Sequence, residues 1–303
     1  MVSGRFTQVR NMALVFFPVL MVLCMQSLVF SQTISTTGGV SPAYDASDPW
    51  VVDEDLFIGF LTNGTLSVTA GGTVTTQGVV FVGSPDAEYH ATGVLAITGL
   101  GTSFSVDPMG ESMLFIGPLA EGVLTLSDQA TLTTHDAIIA GSPLVNEEDE
   151  VIGVVEGLGY ASVSGGAQWN LGEGGWLTVG GAGQGELAIV EAGSTVIGDT
   201  SEVGLLPGSI GDVLVDQSGA WILDSDLIVG VWGAGSLTVS GGGQVQSERS
   251  WVGGADRTAM NYEQPIFDGL GEPNGIGSVV VSGVGSQWNA GERLLVGSWG
   301  TGD

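Results

Sequence analysis

The chain repeats itself, and the repeat limits the fold more than any other feature. One half-unit reads Gly-x-Leu-x-Val, then a Gly-Gly-x-Val turn, then an apolar residue and Gly. It runs over residues 64–83 and returns over 122–141, 185–204 and 235–253. A second half-unit alternates with it and reads Val-x-Val-x-Gly-x-Gly-Ser-x-Trp, an apolar pair and Gly. Its clearest copy is Val279, Val281, Gly283, Gly285, Ser286, Trp288, Leu294, Val296 and Gly297, and three others carry Phe104, Trp169 and Trp221 at the aromatic position. Eight half-units lie between Gly64 and Gly297. Within each, apolar residues alternate with polar ones, the period of a strand with one buried face. Glycine clusters mark sharp turns, and no stretch after residue 32 keeps a helical period.

A single half-unit cannot bury its apolar stripe. Stacking equivalent strands about 4.8 Å apart buries it and satisfies the backbone. The expected fold is therefore all-β: a right-handed parallel β-helix, or β-solenoid, of about eight coils and on the order of 40 Å long. A β-propeller repeats on a similar scale but tolerates uneven spacing less easily. The gaps between half-units are constant after one type and variable after the other. After each aromatic half-unit the gap is four residues: 118–121, 181–184, 231–234 and 298–301. After the other type it varies: 84–92, 142–158, 205–210 and 254–276. Equivalent junctions align in a stacked rod, so all insertions should project from one edge, the place to seek binding.

Residues 1–31 read as a signal peptide, with Arg5 and Arg10, an apolar stretch over 12–23, and Val29 and Ser31 fitting cleavage before Gln32. A retained membrane anchor is the alternative, disfavoured by Pro18 and the modest length. Cys24, the only cysteine, follows Leu23 rather than the small residue a lipoprotein acceptor needs, and falls in the leader. The expected domains are thus the signal peptide at 1–31, a lead-in or cap at 32–62 and the repeat at 63–303. The expected location is secreted, extracellular or outer-surface. Without Cys24 the chain has neither disulfide nor thiolate chemistry.

Charge excludes some partners. There are 33 acids, five Arg and no Lys, for a net charge of −28. Removing Arg5 and Arg10 leaves 33 acids against three Arg, a charge of −30. Such a surface repels nucleic acid and anionic lipid and attracts cations. An apolar fraction of 43% argues against disorder, and the 52 glycines follow no collagen triplet.

The phrase Gly277-Ser-Val-Val-Val-Ser-Gly-Val-Gly-Ser-Gln-Trp288, followed by Leu294-Leu-Val-Gly297, resembles the repeat shared by type V secretion (autotransporter) passengers and PEP-CTERM-associated surface proteins. The resemblance covers roughly residues 63–303. It implies a right-handed parallel β-helix, export and a surface location, and it implies no catalytic residues. Such proteins often continue into a membrane β-barrel or a sorting signal, neither of which appears before Asp303.

The residues carrying possible chemistry are few, and no catalytic, cofactor-binding or metal-binding residue is assigned. Trp169, Trp221, Trp288 and Phe104 share one repeat position, which reads as internal packing rather than a sugar-stacking ladder. Trp176, Trp232, Trp251 and Trp299, near coil corners, are the better candidates for exposed sugar contacts. The acids Glu147-Glu-Asp-Glu150, Asp53-Glu-Asp55 and Asp224 with Asp226 read as solvated charge, with Ca²⁺ as the alternative for the first run. His90 and His135 stand in different contexts and form no metal pair. Asn63-Gly64-Thr65 is a chance glycosylation match.

The expected function is a structural or adhesin-like surface protein without catalysis. Its partners would be surface glycans, extracellular matrix or further copies joined end to end through unpaired strand edges. The alternatives are a polysaccharide-active β-helix enzyme and a calcium-dependent glycan-binding module.

Overall fold

Each half-unit closes one rung of three short strands. The computed structural model describes residues 33–107, 112–145, 151–254 and 274–303; the expected leader at 1–31 lies outside them. Every described element is a strand, and no helix occurs among the described residues. The first rung comprises Gly64–Thr69, Thr73–Thr76 and Val80–Val82, one strand on each of three faces. The eighth comprises Ile276–Val281 and the long strand Gln287–Val296, which bends through the second and third faces. Between successive rungs the strands pair in parallel on all three faces. The chain is therefore a β-solenoid of about eight turns, with the expected period.

Register aligns equivalent residues into columns. On the first face Leu66, Leu95, Leu124, Ala161, Leu187, Val213, Leu237 and Val279 stack in order, and all but Val279 are buried. On the second face the column runs Trp50, Val74, Phe104, Leu132, Trp169, Val196, Trp221, Val245 and Trp288. Aromatic and aliphatic residues strictly alternate along it. Placing each large ring between two smaller side chains fills the interior without voids or overlap, and this is why the repeat has two kinds of half-unit.

The seam between the third and first faces requires glycine. A column of glycines opens the first-face strands, including Gly93, Gly122, Gly211, Gly235 and Gly277. At Gly235 a Cβ would stand 2.4 Å from the backbone nitrogen of Gly230, itself a corner residue with φ +78°. No side chain fits such an approach. At the first corner, hydroxyls from the next rung accept the turn amides. Gly71 N–H donates to Thr102 Oγ1 at 2.9 Å, and Gly242 N–H donates to Ser286 Oγ at 3.1 Å. The serine of the Gly-Ser-x-Trp signature therefore ties one coil to its neighbour.

Residues 33–62 cover the N-terminal end. Trp50–Val52 and Leu56–Ile58 extend the second and third faces in parallel. Ile34–Gly38 lies antiparallel on the first face, and Val40–Ser41 lies antiparallel to Leu56–Ile58. At the other end the inward residues Val281, Leu294 and Val296 are exposed.

One defect in the aromatic column yields a prediction. The Trp169 indole donates to Thr134 Oγ1 at 3.0 Å, one rung below. Trp221 occupies the equivalent site two rungs on, but the residue in the Thr134 position is Gly198, and the Trp221 Nε1 has no hydrogen-bond partner. A Cβ at Gly198 would meet only the flexible Leu171 Cδ1 closely, at 3.1 Å. Gly198→Ser should therefore stabilise the chain by about 1 kcal/mol, from the restored hydrogen bond and the lost glycine entropy. Equilibrium denaturation checks this, and destabilisation would show that the serine cannot reach the indole.

Candidate interaction surfaces

Among the described residues the interior columns are largely apolar, and the candidate sites lie on the three outer faces and the insertion edge. Against the expectation of a single variable edge, the links from Val106 to Met113 and from Leu171 to Trp176 lengthen the corner between the second and third faces. Every connection between rungs, however, falls at the corner between the third and first faces. The 84–92 segment, the antiparallel hairpin of Ser142–Val145 and Val151–Val155, and the 205–209 segment all leave from this edge. Most of the last insertion, 255–273, lies outside the described residues. A cleft of about 460 Å³ runs along the edge, lined by His90, Thr92, Leu119, Glu121, Glu156 and Gln184 among others.

A second, larger concavity of about 520 Å³ lies on the outside of the first face. Two side-chain columns form it. One reads Val123, Tyr160, Glu186, Asp212 and Ser236, and the other Thr125, Ser162, Ala188, Leu214 and Thr238. Glu186 and Asp212 are exposed neighbours on adjacent strands. The Ser236 hydroxyl donates to Asp212 Oδ1.

The third face carries two unlike halves on its outer side. Near the N-terminus Phe57, Phe81 and Phe115 stack with centroids 5.1 and 5.3 Å apart and nearly parallel planes; Phe60 leans on the first of them and Tyr89 on Phe60. Because each ring face is taken up by the next ring, the ladder is packing rather than a sugar platform. Sequence reasoning missed it, although the triplets Phe57-Ile-Gly, Phe81-Val-Gly and Phe115-Ile-Gly spell it out. Towards the C-terminus, Leu205, Leu206, Val231 and Trp232 fold over the same face and bury Ile228 and Trp251 in a separate apolar cluster.

This covering corrects two expectations. Trp232 and Trp251 are not exposed sugar contacts but buried residues, and Trp176 packs partly buried against the same cluster. Of the corner tryptophans only Trp299 is open to solvent, at 49%. The framework residues Phe104, Trp169 and Trp221 are wholly internal, and Trp288 is packed against the core. Asp226 is also not solvated. It is 6% exposed and accepts two hydrogen bonds of 2.7 Å from the Arg249 guanidinium, which also sits over Trp251. Burial pushes its carboxyl up, and Arg249 pulls it back. Asp224 and the run Asp53-Glu-Asp55 are exposed, as expected.

Glu202 lies on the same face. It occupies an outward position of Thr200–Val203, yet is fully buried. Neither oxygen has a hydrogen bond of normal geometry. Thr178 and Trp176 approach from the preceding rung and offset part of the burial, which raises its pKa well above the ordinary carboxyl value. Burial thus favours the protonated form of the side chain.

Glu147–Glu150 lies outside the described residues. Among those described, no three histidine, cysteine or acidic side chains converge as a metal site. His90 is exposed in the 84–92 connection, while His135 sits at a different corner with Nδ1 3.0 Å from Asp136 Oδ1. Asn63 Oδ1 accepts the Thr92 amide at 3.0 Å. No helix of the described residues is long and apolar enough to cross a membrane.

No family model, curated protein or solved structure matches the chain.

Proposed function

We propose that this chain is a secreted or surface-exposed structural protein of the adhesin-like kind, a non-catalytic rod that presents an edge of insertions to surface glycans or extracellular matrix. The observation that carries the reading is the division of labour in the fold. The internal columns continue through every rung, while the longest described connection, with its own hairpin, leaves from the edge that holds an open cleft. A framework that repeats without change supplies stiffness, and an edge free to vary supplies specificity. The export implied by the leader and by the resemblance to passenger repeats fits this role, and the strong negative charge keeps such a rod soluble.

The experiment replaces 84–92, which supplies His90 and Thr92 to the cleft, with the four-residue junction found at 181–184 and measures binding to immobilised cell-surface glycans and matrix proteins. The expected result is lost binding with an unchanged β-type far-UV spectrum. Retained binding overturns the assignment to the edge, and turnover of a glycan overturns the non-catalytic reading.

A further inference from the structure

We infer that the outer groove of the first face is a binding site for a linear, cationic amino-sugar polymer lying along the solenoid axis. The site is distinct from the insertion edge and does not depend on the adhesive role. Its central feature is Glu186 and Asp212, side by side in register on adjacent parallel strands. Like charges directly opposite one another destabilise a sheet by several tenths of a kcal/mol, and no Arg lines the groove to offset them. Asp212 is further oriented by the Ser236 hydroxyl. The fold thus keeps an unfavourable pair and aims it into a concavity of about 520 Å³.

The surroundings specify the ligand. Tyr160 continues the acidic column on one side and Ser236 on the other, so a ring and three oxygen-bearing groups recur one rung apart, about 4.8 Å. Beside them Ser162 and Ala188 are short, which opens a trough along the axis. An aromatic ring, carboxylates and hydroxyls match a chain of sugar rings bearing hydroxyl and ammonium groups. An extended basic peptide fits less well. Peptides dock on sheets by adding a strand to a free edge, whereas these strands are paired on both sides within the ladder. Anionic polysaccharide is excluded by the carboxylates.

The test uses residues 32–303 and calorimetry at about 0.15 M salt, where the screening length is ~8 Å and distant charges contribute little. The probes are a glucosamine oligomer, its fully N-acetylated counterpart and oligolysine. The glucosamine oligomer should bind. The Glu186→Gln, Asp212→Asn double variant should weaken it at least about tenfold, equivalent to ~1.4 kcal/mol, while melting at a higher temperature because the repulsion is gone. A control pair, Asp53→Asn with Glu54→Gln, removes the same charge from an exposed site and should change neither readout. Equal weakening by the control reduces the effect to bulk charge and overturns the proposal. So does oligolysine binding with the same dependence on Glu186 and Asp212, or no binding of any probe. Release of new reducing ends, lost in the double variant, would replace binding with hydrolysis. Loss of binding on shortening the insertions, with the double variant unaffected, would move the ligand to the edge and leave the adhesive reading intact.

Discussion

Trp169→Ala will destabilise the solenoid by about 3–5 kcal/mol, the cost of removing a large buried aromatic side chain. Trp169 is wholly buried between Leu132 and Val196 of the neighbouring rungs, and its indole N–H is bound to Thr134. The cavity cannot collapse, because ladder hydrogen bonds hold all three rungs at fixed spacing. The loss also strikes an inter-rung contact in the middle of the rod. In a repeat protein stability is nearly a sum of unit and nearest-neighbour terms, so weakening a central junction should split or broaden the unfolding transition as well as lower it. Trp299→Ala supplies the contrast. Trp299 is half exposed, and its removal should shift stability by no more than about 0.5 kcal/mol. Denaturant titration of both variants decides the matter. Equal, small effects would mean that the second-face column is not the core.

The two variants mark the boundary of what the sequence discloses. Columns depend only on strand period and on spacing between half-units, and both are written along the chain. Leu66, Leu124, Leu187 and Leu237 could therefore be aligned on paper and are buried in one column. The glycines of the seam were likewise marked as turns, although the sequence does not reveal that Gly235 must touch Gly230. What packs against the outside of a face is a different matter. Trp232 and Trp299 occupy the same place in their half-units, yet one is buried and the other is half exposed, because the apolar cover over the third face reaches only the first. The partner of Asp226 lies 23 residues away on the next rung. Nothing in its own neighbourhood announces Arg249. The first-face groove was out of reach for the same reason. Glu186 and Asp212 are 26 residues apart and become neighbours only through register.

Glu202 shows the largest consequence of that outer packing. A position that alternation assigns to solvent is fully buried, with Thr178 and Ile228 as its neighbours on the adjacent rungs and Trp176 close by, and its folded pKa stands well above the ordinary 4.5. The sign of the effect follows from proton counting. Above pH 4.5 the unfolded chain has released this proton while the native chain keeps it, so stability falls as pH rises. The fall begins near the unfolded value and ends once pH exceeds the folded one. Each unit of separation removes about 1.4 kcal/mol over that window. The other carboxylates of this acidic chain also repel one another more as pH rises, so the wild-type curve alone does not isolate Glu202. The difference between wild type and Glu202→Gln does, because the amide fills the same space and carries no titrating proton. Below pH 4.5 the gap between the two should be constant. Above pH 4.5 it should widen in favour of Glu202→Gln, with melting temperatures diverging, until pH passes the raised folded value. Parallel curves across that range would mean that water reaches the Glu202 carboxylate in solution.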